Sequence, residues 1–269
     1  LFAYVIASFF ANVEWSQALL RTFIPDFDFS QNMIFMVVAI LGTTISPYLF
    51  FWQTSEEVEE EIASGKTTVT ARASATAAEL RSMRRDVGTG MLLSNAVMFF
   101  IIVTTAATLH QNGITAIDTA ADAAEALRPL AGNASFFLFT LGILGTGLLA
   151  IPVLAGSASY AIAEVFGWRE GLGNSFSKAK PFYLTMAAAV IIGMSMNAFG
   201  ISPLTFLLIA AVVNGLVAPV LLWFIVRMAD RRDVVGEHVS PPAVRWLGWS
   251  AFVLMSLAGS LLIIQSLMI

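Results

Sequence analysis

A run of small and hydroxyl-bearing residues, Gly42 to Tyr48, stands near the middle of a long apolar segment. The run is Gly-Thr-Thr-Ile-Ser-Pro-Tyr, and the apolar segment covers residues 31–52. Pro47 has no amide hydrogen and its ring crowds the preceding turn, so a helix should break or kink there. Backbone groups freed at membrane depth are tolerated only where they face protein or line a polar cavity. Because broken helices mark substrate sites near the midplane of secondary transporters, the run predicts such a site, with a ligand-free proline kink as the alternative.

The composition limits the class of protein that can carry this segment. The chain is 58% hydrophobic and 12% charged, against about 25% charged in soluble domains, and its mean hydropathy is +0.80. These values predict a polytopic helical membrane protein. The absence of cysteine excludes disulfides and thiolate metal sites, and two histidines make an imidazole-rich site a poor hypothesis. A net charge of -4, spread over loops, argues against nucleic acid as a partner.

The apolar segments predict a single transmembrane domain with one partial and six full spans. The predicted spans cover residues 1–13, 31–52, 88–109, 134–163, 181–199, 203–226 and 246–269. The first is too short to cross a bilayer. It opens at Leu1 without a charged n-region or a cleavage-site pattern, so we do not interpret it as a signal peptide. We expect the chain to be the C-terminal part of a longer protein, and Asn197, Gly200 and Pro203 to mark the turn between two spans.

The loop charges predict an orientation. Twelve of the 14 basic residues fall in alternate loops, namely Lys66, Arg72, Arg81, Arg84, Arg85, Arg169, Lys178, Lys180, Arg227, Arg231, Arg232 and Arg245. The other side has only Arg21 and Arg128. By the positive-inside rule, the first set is cytoplasmic and the C-terminus is outside. We therefore predict that the protein is an integral, multi-pass protein located in a bacterial inner membrane.

Acidic residues are absent from every predicted span from residue 31 onward. A cation bound at the midplane would need a carboxylate or many oxygens, so either helices missing from this chain supply the acid or the substrate is not a cation. The acidic run 56–61 has two interpretations. It can be a vestibule that attracts cations, or a solvated helix end, which is the more common role of a charge run.

Several motifs, taken in order, resemble one transporter family. They are the Gly42–Tyr48 run, Arg85-Asp86 with Ser94-Asn95-Ala96, the Gly142-Ile143-Leu144-Gly145-Thr146-Gly147 helix, Asn214-Gly215 to Pro219, and Arg231-Arg232-Asp233 with Gly236. Together they resemble the NRAMP family of divalent metal transporters over nearly the whole chain, as helices five (partial) to eleven. The resemblance implies an all-α, LeuT-like fold of two inverted repeats with a broken helix six, the first repeat being mostly missing here.

The resemblance also implies ligands. In the family an unwound first helix gives an Asp and an Asn to the metal, and the sixth helix gives a backbone carbonyl and a Met side chain. By motif position Thr43 would give the carbonyl, Ser46 stands at the Met position, and Tyr48 stands where a His follows the Pro. A thioether favours transition metals, whereas the Ser46 hydroxyl is a hard oxygen that should discriminate poorly against Mg²⁺. The Ser-Pro-Tyr sequence therefore leaves the choice among Mn²⁺, Fe²⁺ and Mg²⁺, and proton coupling, open.

The predicted function is a secondary active transporter of divalent metal cations that works by alternating access. Thr43 and Ser46 are the predicted metal ligands, and the expected pathway or gate residues are Tyr48, Arg85, Asp86, Asn95 and Asn214. The cation is the substrate, no separate cofactor is expected, and the other partners are the lipid bilayer and the missing N-terminal helices. The alternative is a LeuT-fold symporter of amino acids or other small solutes. An enzyme is not predicted, because no nucleophile, base or metal triad lies at membrane depth.

Overall fold

The protein is described from a computed structural model that covers residues 1–26, 29–72, 76–115, 117, 119–196, 199–200 and 202–267. The expected turn residue Asn197 and the last two residues of the expected final span lie outside these ranges. Within them the chain forms helices and no strand. The helices are α1 (Phe2–Phe10), α2 (Trp15–Phe23), α3 (Gln31–Thr44), α4 (Pro47–Ala63), α5 (Val69–Arg72), α6 (Ala77–Thr108), α7 (Ala120–Ala124), α8 (Arg128–Ala131), α9 (Ser135–Phe166), α10 (Lys180–Met196), α11 (Pro203–Ala229), α12 (Arg232–Val235) and α13 (Pro242–Leu267).

Among the described residues, five helical segments are long and apolar enough to cross a membrane. They are Gln31–Ala63, Ala77–Asn112, Ala120–Phe166, Pro203–Ala229 and Pro242–Leu267, and the apolar helix Lys180–Met196 is shorter. Each of the five exceeds the ~20 residues that a bilayer core requires. The all-α membrane class is therefore confirmed. The exact set of seven spans within a single domain stays a prediction.

Two helices run beyond the bounds that hydropathy predicts. α6 begins at Ala77 rather than near residue 88, because Thr76 and Glu79 form a reciprocal capping box that starts a helix continuous with the apolar segment. α4 continues past residue 52 to Ala63, so the acidic run 56–61 belongs to the same helix as Pro47.

The described chain divides into two compact units, and each is best described by itself. The first comprises Leu1–Asp26 and Ala75–Val153. In it α1 packs on α6, around a core that includes Tyr4, Ala7 and Leu109. The hydroxyl of the buried Thr104 donates to the carbonyl of Tyr4 at 3.1 Å, which ties α6 to α1.

The second unit comprises Phe27–Ser74 and Leu154–Ile269. In it α3 packs along α11 and α13, and their core consists of Ile34, Val38, Ala39, Ala211, Val212 and Leu262. A separate cluster is formed by Tyr160, Ala163, Ala179 and Phe182, with Trp52 of α4 packed against it. The two clusters therefore lie on different helices of this unit, which matters for the broken helix described next.

Candidate functional site

The helix break predicted at Pro47 is present. α3 ends at Thr44 and α4 begins at Pro47, while Ile45 and Ser46 have non-helical backbone angles. Pro47 occupies the first position of α4, where a missing amide hydrogen costs nothing and the fixed φ of proline suits a helix start. The chemistry of one residue thus ends one helix and begins the next.

The Ser46 side chain compensates for the backbone bonds that the break removes. In an uninterrupted helix the carbonyl of Gly42 would accept from the amide of Ser46, and that of Thr43 from residue 47, which is proline. Instead the Ser46 hydroxyl, 1% exposed, donates toward the Gly42 oxygen at 3.0 Å and the Thr43 oxygen at 2.8 Å. Three oxygen atoms therefore converge at the C-terminal end of α3.

The two predicted metal ligands are thus brought together. The Thr43 carbonyl lies 2.8 Å from the Ser46 hydroxyl oxygen, whereas the exposed Thr43 hydroxyl points elsewhere and donates to Ile40 at 2.8 Å. Across the described ranges no group of three or more histidine, cysteine, aspartate or glutamate residues could hold a metal ion. The oxygens that the structure brings together at the break, the carbonyls of Gly42 and Thr43 and the hydroxyl of Ser46, are all neutral.

Tyr48 lies in the first turn of α4 and joins that helix to α9. Its carbonyl accepts from the hydroxyl of Ser157 at 2.9 Å, and its side chain is half-buried. One turn later Trp52 lies against Gly156, where an added Cβ would come within 2.4 Å of the indole ring. The contact of Tyr48 is thus one of helix packing, and its pathway role stays a prediction.

Asn214 lies on the side of α11 that faces α3. It belongs to the same helical stripe as Ala211, Gly215 and Ala218, which are buried. α3 and α11 touch backbone to backbone there, because a Cβ on Gly42 would lie 2.0 Å from the Ala211 oxygen. The half-buried amide of Asn214 makes no hydrogen bond within the described residues. The structure thus places Asn214 beside the helix that ends in the break.

The remaining predicted gate residues lie on α6, in the first unit. Arg85 and Asp86 are exposed and take part in no ion pair among the residues described. Asn95 is half-buried and its amide donates to the carbonyl of Met91, one turn earlier, at 2.7 Å. That bond satisfies the side chain within its own helix. A gate role for these three residues stays a prediction.

Sequence reasoning passes over one polar residue of the second unit that makes three long-range hydrogen bonds. Glu59, inside the acidic run, accepts hydrogen bonds from the amides of Leu172 and Gly173 and from the hydroxyl of Tyr160. The interpretation of the acidic run as a solvated helix end therefore does not hold for Glu59. Its partners stand more than 100 positions away, and the only local hint is the pair of glycines around Leu172.

These features define the class: a multi-pass α-helical membrane protein that contains a discontinuous helix. The family follows from comparison with known proteins. The family model described as Nramp, natural resistance-associated macrophage protein-like, matches residues 1–265, and the chain belongs to this family. The resemblance stated from the motifs is therefore confirmed.

Curated relatives extend this finding. The chain is 28% identical over 235 residues to "Divalent metal cation transporter MntH 1" of Pseudomonas aeruginosa, covering 85% of this chain and 50% of the relative. It is 26% identical over 248 residues to "Divalent metal cation transporter MntH" of Caldanaerobacter subterraneus, covering 91% and 54%. The Mycobacterium tuberculosis protein of that name is 23% identical over 257 residues, covering 96% and 56%. The chain thus spans about half the length of these relatives.

Proposed function

We propose that this chain takes part in moving divalent metal cations of the Mn, Fe and Mg class across a membrane by alternating access. Membership of the Nramp family and the names of the relatives as divalent metal cation transporters support this proposal. None of these three relatives has the name of an enzyme, which agrees with the prediction that the chain is not one. The proposal includes a LeuT-like arrangement of inverted repeats and a C-terminus outside the membrane, as the loop charges predict.

The observation that carries the proposal is the set of oxygens at the end of α3. The C-terminal end of a helix carries roughly half a negative charge, which favours a cation. The carbonyls of Gly42 and Thr43 project there, and their added partner is the neutral hydroxyl of Ser46. A cation can take the place of the hydroxyl proton on either carbonyl, with the hydroxyl oxygen as a further ligand.

The same break is poorly suited to the carboxylate of an amino-acid substrate. A carboxylate is held by free amides at a helix N-terminus. The first position of α4 is Pro47, which has no amide hydrogen, and the amide of Leu49 is already bonded to the Ser46 carbonyl at 3.1 Å. The geometry therefore favours the metal cation over the small-solute symporter.

The donor set also bears on the choice of cation. Carbonyl and hydroxyl oxygens are hard ligands that suit Mg²⁺ and Mn²⁺, and they lack the softness that selects transition metals. We therefore propose that Mg²⁺ and Mn²⁺ are transported with similar preference. Measuring cation uptake into liposomes with an imposed proton gradient tests whether protons move with the cation.

The experiment is ion uptake into liposomes containing the purified protein, with Mn²⁺ and Mg²⁺ offered separately and together. Replacing Ser46 by Met, and by the nearly isosteric Cys, introduces sulfur at the break. We expect each to shift the ratio of Mn²⁺ to Mg²⁺ uptake toward Mn²⁺ by roughly tenfold, the factor for about 1.4 kcal/mol. Ser46→Cys guards against loss of folding, because Met is much larger than Ser.

Ser159 supplies the matched control. It is equally buried, and its hydroxyl bonds within α9, to the carbonyl of Ala155 at 2.8 Å. Ser159→Cys should leave the ratio unchanged. An unchanged ratio in both folded Ser46 variants would remove Ser46 from the ion's surroundings. Uptake of an amino acid, with no uptake of either metal, would replace the proposal by the symporter.

A further inference from the structure

Glu59 of α4 occupies a receptor built from backbone of the loop between α9 and α10. Its two carboxylate oxygens accept from the amide of Leu172 at 2.9 Å and from that of Gly173 at 3.1 Å, and a third bond comes from the hydroxyl of Tyr160. Successive amides that converge in this way form a concave site for an anion. Hydrogen bonds to a charged acceptor are stronger than those between neutral groups.

The loop is shaped for this carboxylate at Gly171. The φ of Gly171 is +115°, a conformation that side chains disfavour, and an added Cβ would lie 2.8 Å from a Glu59 oxygen. Asn174 closes the turn, since its backbone amide donates to the Gly171 carbonyl at 3.1 Å and its side chain to the Glu170 carbonyl at 2.6 Å. The receptor is thus formed by the loop itself.

The loop and its flanking helices are in turn joined to one another. Tyr160 of α9 is 1% exposed and its ring lies 4.8 Å from that of Phe182 in α10. The hydroxyl of Tyr183 donates to the loop carbonyl of Asn174 at 2.8 Å. Trp52 of α4 packs edge-on against Tyr160, with ring centres 6.1 Å apart. The end of α9, the loop and the start of α10 therefore form one packed group that holds Glu59.

The other half of the broken helix is attached elsewhere. α3 contacts α11 through Gly42, Gly215 and Val38, with the two backbones too close to admit a Cβ on either glycine. α4 touches α11 over a short stretch, but the long-range hydrogen bonds described for it go to α9 and to the α9–α10 loop. The break at Ile45 and Ser46 thus lies between two helices that have different anchors.

We propose that Glu59 is a positioning residue that fastens α4 to the α9–α10 loop, so that α4 moves together with α9 and α10 and bends relative to α3 at the break. This inference rests on the proposed function, because it assigns α4 a movement during transport. The carboxylate binds no substrate. Its role is to make α4, the second half of the broken helix, move together with α9 and α10.

Spin-label distances test the fastening itself. The chain contains no cysteine, so Ile62→Cys on α4 and Leu184→Cys on α10, both exposed, give a clean labelled pair. We expect one narrow distance distribution, in detergent with and without Mg²⁺. Glu59→Gln replaces one acceptor oxygen by an NH₂ group that faces amide donors, and should broaden the distribution. Glu60→Gln, on an exposed neighbour in the same helix, removes the same charge and should leave it narrow.

Transport rates give the second readout. Glu59→Gln should lower the maximal rate of Mg²⁺ uptake by roughly tenfold, in line with the loss of one hydrogen bond to a charged group, while KM stays unchanged. Gly171→Ala disturbs the same contact from the side of the loop. The maximal rate of the Glu59→Gln, Gly171→Ala double variant should therefore be no lower than that of the slower single variant.

The outcomes separate the two proposals. The fastening role would be overturned by a narrow distance distribution in a folded Glu59→Gln protein. It would also be overturned if the decrease in rate of the double variant equalled the product of the decreases in the two single variants. Absence of metal uptake by the unaltered protein would overturn the proposed function, while the distances would still report on Glu59.

Discussion

Substituting alanine for Gly42 is the sharpest test of how the broken helix is anchored. A Cβ there would lie 2.0 Å from the carbonyl oxygen of Ala211, 2.4 Å from the amide nitrogen of Gly215 and 2.8 Å from its Cα. Ordinary contact needs about 3.5 Å, so α3 and α11 would have to separate locally by about 1.5 Å. All three obstacles are backbone atoms, so no side-chain rotation relieves the clash.

The size of the effect follows from two opposing contributions. Overpacking costs ~1–3 kcal/mol, and the upper end applies because backbone must move. Alanine has a helix propensity ~1 kcal/mol better than glycine, which offsets part of this cost. The expected net loss is about 2 kcal/mol, or a fall in Tm of roughly 4–8 °C by the scaling for domains of this size.

Gly193 provides the matched control, because it lies inside α10 and no described atom comes within 4 Å of the place that an added Cβ would take. Gly193→Ala should raise Tm by a few degrees through helix propensity alone. Gly215→Ala should behave like Gly42→Ala, since its Cβ would lie 2.4 Å from the Val38 oxygen. The two interface substitutions should be less than additive, because the first already separates the helices.

Thermal unfolding in detergent, followed by intrinsic tryptophan fluorescence, is a suitable assay for the unaltered protein, the three single variants and the double variant. Uptake measurements on the same samples would show whether the separation of α3 from α11 also disturbs the break. If Gly42→Ala melts at or above the temperature of Gly193→Ala, the close contact between α3 and α11 is wrong.

Two further predictions concern groups away from the break. Burial, then repulsion by Glu164 and Glu59, raises the pKa of Glu170, and its buried Oε2 has no hydrogen-bond partner among the described residues. As pH rises above 4.5, the carboxyl of the unfolded chain loses its proton before that of the folded protein, so the free energy of unfolding falls with pH. Glu170→Gln should therefore raise Tm at pH 7, and this gain should vanish below about pH 4.5. An equal gain at both pH values would contradict this. Thr104→Val removes the bond to Tyr4 and should cost about 1 kcal/mol in the first unit. Thr185→Val, which removes an exposed bond within α10, should change Tm little, and similar losses in the two variants would refute the argument.

How far the sequence predicts the site depends on the range of the interactions. The break at Pro47 needed only the chemistry of one residue in an apolar segment. Motif order also named Thr43 and Ser46 as candidate ligands, and that assignment stays a prediction. The bonds that the Ser46 hydroxyl makes to Gly42 and Thr43 were not foreseen, because they depend on the backbone angles adopted at Ile45 and Ser46.

The acidic run 56–61 shows where such reasoning fails. A charge run is usually solvated, and nothing near Glu59 in the sequence suggests otherwise. Its donors lie at Tyr160, Leu172 and Gly173, and reach it only after α9 and α10 have packed. No periodicity in the sequence links a carboxylate to backbone amides more than 100 residues away, so this contact is seen only in the tertiary structure.

The sequence by itself determined that this is a helical membrane protein of the Nramp family with a helix interrupted at Pro47. Apolar content, segment length and the missing amide hydrogen of proline act within one helix, so their consequences can be read along the chain. Only the tertiary structure decided that α3 is held by α11 and α4 by α9 and the α9–α10 loop. Those attachments depend on Gly42 meeting Gly215 and on Glu59 meeting the Leu172 amide, which are contacts between distant segments that packing, and not local propensity, selects.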